Sequence, residues 1–66
     1  MSRLYELKQR IDKMIADKGL DAFKVKGAIG LKAGILIGLI GPDSPDDEDK
    51  LRRLQQAAAE VLGEKV

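Results

Sequence analysis

Residues 22–41 read Ala22-Phe23-Lys24-Val25-Lys26-Gly27-Ala28-Ile29-Gly30-Leu31, then Lys32-Ala33-Gly34-Ile35-Leu36-Ile37-Gly38-Leu39-Ile40-Gly41. The stretch holds five of the chain's seven glycines and most of its β-branched residues. Two structures compete for it. Apolar side chains at Phe23, Val25, Ile29, Leu31, Ile35, Ile37 and Leu39 fall at odd positions, with Lys24, Lys26 and Lys32 at even ones. That period-two alternation is the mark of a β-hairpin. Each glycine also costs a helix about 1 kcal/mol relative to alanine. Against this, Gly27, Gly30, Gly34, Gly38 and Gly41 are spaced three, four, four and three, which stacks them on one face of a helix. Asp21 stands where an N-cap belongs, and Gly41-Pro42 is a strong stop. The sequence reading therefore favours a helix over about 21–40, with α-β-β-α and a central hairpin as the alternative.

The flanks are plainer. Leu4, Leu7, Ile11 and Met14, widened by Ile15, recur at helical spacing over 2–18. Ser2 is placed to cap this helix. Gly19 is suited to end it, with Leu20 folding back toward Ile15 in a Schellman motif. Over 45–62, Leu51, Leu54, Ala58 and Val61 form a second seam closed by Gly63. Ser44-Pro45-Asp46-Asp47 reads as its start, with serine as cap, proline at the first helical position and acids in the first turn. Asp46–Lys50, Glu48–Arg52 and Asp49–Arg53 stand in the favourable i,i+4 order and together predict about 1 kcal/mol of support. The expected fold is all-α: one domain over 1–66, a small three-helix bundle around a buried glycine-rich middle helix.

Composition bounds the chemistry. Sixty-six residues form one marginal domain, since a chain of this size buries only about 60% of its unfolded surface. With no Cys there is no disulfide staple, and with no His either a zinc or haem staple is not expected, which leaves close helix packing or oligomerisation. Thr, Asn and Trp are absent too, so the commonest general base, the thiolate nucleophile and the usual triads are missing, and no enzyme, cofactor or metal site is expected. The acidic run Asp43 to Asp49 lacks the alternating ligands and central glycine of an EF-hand loop, and capping accounts for most of it.

The net charge of +1 is unevenly spread. Residues 1–41 carry eight basic and four acidic groups, and residues 42–50 carry five acids against Lys50. This is weaker than the clustered footprint of a nucleic-acid module. Gly19 and Val25 have the spacing of a helix-turn-helix, but the second helix would be the most apolar segment of the chain. Gly27-Ala28-Ile29-Gly30 fits the GxxG of KH domains in a stretch where such a match is nearly unavoidable. Tyr5 and Phe23 are the only aromatic residues for base stacking. Ala33–Gly41 is too short to span a bilayer, and extending it to Ala22 adds three lysines, so no transmembrane segment is expected. Charges stand where the apolar core of a leader would lie, and by elimination the expected address is cytoplasmic.

The functional expectation rests on a surplus. In a helix over 21–40, Ile29, Leu36, Ile37 and Ile40 cover one side and Leu31, Ile35 and Leu39 the other. Two narrow-seamed neighbours cannot cover it all round. The sequence thus points to a non-enzymatic protein–protein interaction or homo-oligomerisation module, an adaptor or regulatory subunit. Its candidate interface is Gly30, Leu31, Gly34, Ile35, Gly38 and Leu39, and its partner a second copy or another protein. The alternative is a small nucleic-acid-associated regulator using Lys24, Lys26, Lys32 and the basic residues Arg3, Lys8, Arg10 and Lys13 as phosphate contacts. An interfacial membrane binder inserting Ala33–Gly41 is a third reading.

Overall fold

A computed structural model describes residues 2–66 as three α-helices, α1 (Arg3–Asp17), α2 (Ala22–Ala33) and α3 (Glu48–Leu62), with a 3-10 turn at Ile37–Leu39. No strand occurs among the described residues, so the hairpin alternative is set aside. None of these helices is long and apolar enough to cross a membrane.

Local chemistry sets most of the boundaries. The Ser2 hydroxyl accepts a hydrogen bond from the Tyr5 N–H at 3.0 Å and caps α1. Gly19 at φ +68° ends that helix, and the Leu20 N–H donates back to the Ile15 carbonyl at 3.0 Å, closing the Schellman motif. Asp21 then caps α2 through the Lys24 N–H at 3.1 Å. At the far end of the chain, Gly63 at φ +74° stops α3.

The middle helix is shorter than its glycine pattern predicts. It ends at Ala33, because Gly34 takes φ +70°. The Gly34 and Ile35 N–H groups both donate to the Gly30 carbonyl. The Ile35 bond is the six-to-one bond of a Schellman reversal, and the chain turns back on α2. Turning the chain back brings Ile37 and Ile40 into the core beside Ile29 and Ala33. Gly30 permits the turn: a Cβ built there would stand 2.7 Å from the Ile35 carbonyl oxygen. The glycine-rich middle helix of the sequence reading is thus replaced by a twelve-residue helix and a folded-back loop.

The start of α3 also differs. Asp47, not Ser44, is the cap, its carboxylate accepting from the Asp49 N–H at 3.0 Å and the Lys50 N–H at 3.1 Å. Ser44 instead closes the preceding turn on Gly41, with its hydroxyl 2.8 Å from the Gly41 N–H and its own N–H on the Gly41 carbonyl. Asp46 is drawn away to α1, where its carboxylate accepts from the Arg3 N–H at 2.8 Å. Glu48 pairs with the Arg3 guanidinium. Of the three expected intrahelical pairs, Asp49–Arg53 forms, at 3.0 Å, and Asp49 also takes Arg52 at 2.7 Å. The acidic run is therefore a brace between the N-termini of α1 and α3.

The core joins Leu4, Leu7, Ile11 and Ile15 of α1 to Ile29 and Ala33 of α2, Ile37 and Ile40 of the loop, and Leu54, Ala57, Ala58 and Leu62 of α3. The α3 face is turned slightly from the expected seam: Ala57 and Leu62 are buried while Leu51 is half-buried and Val61 exposed. No polar or charged side chain among the described residues is buried.

These placements predict opposite outcomes at two helical glycines. Gly30→Ala should destabilise the protein by about 1–3 kcal/mol through the clash with Ile35, despite the gain in helix propensity. Gly27→Ala meets open space and should stabilise by roughly 0.5–1 kcal/mol. Urea denaturation of the two variants checks both signs.

Candidate functional site

On α2, Phe23, Gly27, Gly30 and Leu31 lie on one face, at i, i+4, i+7 and i+8. The reversed loop runs alongside this face, with Ile37 carbons 3.7 and 3.8 Å from the missing Cβ of Gly30. Between helix and loop lies an open groove of about 770 Å³, walled by Phe23, Leu31, Ile35, Leu36, Ile37 and Leu39 and floored by glycines. Burial alternates along the loop: Ile37 and Ile40 point into the core, while Leu36 and Leu39 stand 74% and 76% exposed. Across the groove, Phe23 is 90% and Leu31 86% exposed.

The exposure is held in place, not left to a slack loop. The Arg53 guanidinium donates to the Ala33 carbonyl at 3.0 Å, satisfying one orphan acceptor at the end of α2. The Lys8 ammonium donates to the Ile40 carbonyl at 2.9 Å from the α1 side. Within the turn, the Leu39 and Ile40 N–H groups bond to the Leu36 and Ile37 carbonyls, both at 3.0 Å. Two cations and two buried isoleucines thus fix the ends of a segment whose leucines face water.

All six candidate interface residues line this groove. They meet there by a route the helical pattern does not describe. Gly30 and Leu31 come from α2, Gly34 forms its cap, and Ile35, Gly38 and Leu39 come from the returning loop. Phe23 and Leu36 are groove residues outside that set. Phe23 carried a usable signal, since Phe23, Gly27 and Leu31 repeat at four-residue spacing. Leu36 carried none, because its position depends on the turn at Gly34.

The lysines of the nucleic-acid reading are not gathered into one free patch. Lys26 pairs with Asp12 of α1 at 2.9 Å and Lys32 with Glu60 of α3 at 3.3 Å, while Lys24 is exposed. On α1, Arg3 is committed to Glu48, Lys13 to Asp17 and Lys8 to the Ile40 carbonyl. Among the described residues no cluster of three or more carboxylates is placed to hold a metal ion.

Comparison of the chain with protein-family models, curated proteins and solved structures returns no match in any of the three.

Lys8→Met keeps the aliphatic stem and removes the donor to Ile40. Amide hydrogen exchange of Leu39 and Ile40 should speed up several-fold, with a loss of global stability of about 1 kcal/mol or less. Exchange followed by NMR reads both effects.

Proposed function

We propose that this chain is a non-enzymatic protein–protein interaction module that self-associates through the apolar groove between α2 and the loop after it. The observation that carries the reading is the exposure of Phe23, Leu31, Leu36 and Leu39 around one groove on a chain with 4307 Å² of total surface. At their fractional exposures the four together present on the order of 600 Å². A typical monomer's largest apolar patch is about 300–600 Å² and is often functional. This chain carries one at the upper end of that range on a very small surface.

The non-enzymatic part has its own support. Both serine hydroxyls are engaged in backbone turns, Ser2 as a cap and Ser44 on Gly41. The walls of the groove hold no nucleophile, and the one ionisable side chain there, Lys26, faces Asp12.

Sedimentation velocity over a wide concentration range tests the proposal. The mass should rise from monomer toward dimer by high micromolar concentration, and association should hold or strengthen as salt is raised. Phosphate-driven nucleic-acid binding would instead weaken steeply. Leu31→Lys, at a position 86% exposed, should abolish association and leave a folded monomer with nearly unchanged thermal stability. A wild-type mass that stays monomeric throughout would sink the proposal.

A further inference from the structure

We infer that the association is a two-fold dimer in which the loop carrying Leu36 and Leu39 of each copy seats in the trough beside α2 of the other. The inference rests on the self-association reading and adds its occupant and geometry. A two-fold interface must be complementary to itself, with the same patch supplying projections and the recesses that receive them. This patch has both. Leu36 and Leu39 form a ridge on the loop, Phe23 and Leu31 a second ridge on α2, and the trough lies between them.

Gly27 and Gly38 line the trough and leave it open: a Cβ added at either would meet no atom within 4 Å, in contrast to Gly30, which the loop itself has filled. Lys26 lines the trough but already sits 2.9 Å from Asp12, so a second copy strands no lone charge there. The loop is fixed at both ends by the Arg53 and Lys8 hydrogen bonds, so little ordering remains to be done on docking. Complete coverage of the four side chains in both copies would bury about 1,200 Å², the lower end of the range for specific interfaces. That area suits a reversible dimer.

Two readouts test the seating. Gly27→Leu plugs the trough at a helical position where the monomer has open space, and it should raise the dimer dissociation constant tenfold or more. If this variant loses its helical circular dichroism, Leu39→Asp, at an exposed loop position, is read in its place with the same expectation. In a mixed sample of labelled and unlabelled chains, filtered NOEs should connect the ring of Phe23, the one phenylalanine, to Leu36 or Leu39 methyls of the other copy. A dimer that tolerates the plug while its filtered NOEs still involve groove residues overturns the seating alone, and filtered NOEs that join other surfaces overturn the groove as the interface as well. A wild-type chain that never dimerises removes both.

Discussion

The carbonyl of Gly30 receives two N–H groups, from Gly34 and Ile35, and the Ile35 carbonyl oxygen then passes 2.7 Å from where a Cβ on Gly30 would stand. Gly34 at φ +70° supplies the reversal and Gly30 the clearance. Everything after Ala33 follows from that turn. Ile37 and Ile40 fall back into the core to fill the space between α1, α2 and α3, and the residues alternating with them, Leu36 and Leu39, are turned outward. In so small a domain the core has few residues to draw on. The same backbone event that completes it also creates the groove.

Charged groups serve this arrangement more as braces than as a source of net energy. The seven ion pairs seen among the described residues are largely exposed, and such pairs contribute little individually. The hydrogen bonds from Arg53 to the Ala33 carbonyl and from Lys8 to the Ile40 carbonyl are different, because they satisfy backbone acceptors that the end of a helix and an irregular loop leave open. Asp46 does the same for donors at the start of α1. Arg53 and Asp46 thus reach from the α3 side to backbone ends on α2 and α1, while Lys8 of α1 holds the far end of the loop.

What was legible in the sequence was what is decided locally. Ser2, Gly19, Asp21 and Gly63 act on groups within a few residues of themselves, and each does what its type and position predict. The end of α2 is another matter. Gly34, Gly38 and Gly41 are equally able to stop a helix, and the choice among them turns on how Ile37 and Ile40 pack against the other helices. Ser44 and Asp47 pose the same difficulty: both are good caps, and the outcome follows from Asp46 being taken up by α1, more than forty residues away. The groove was reached through the surplus of apolar faces, an argument about total area that survives a change in geometry. Leu31 and Leu39 therefore belong to it although no continuous helix carries them both.

The glycines of the middle segment look like one motif, yet they answer to separate constraints. Gly34 is held by its backbone angle and Gly30 by the carbonyl that crosses it, and both demands come from within the chain. Gly27 and Gly38 meet neither demand. A side chain at either would stand in open space on the exposed face. The regular three-and-four spacing thus joins positions under unlike constraints, and tolerance to a side chain should be uneven along it: low at the inner pair, where the fold itself objects, and high at the outer pair.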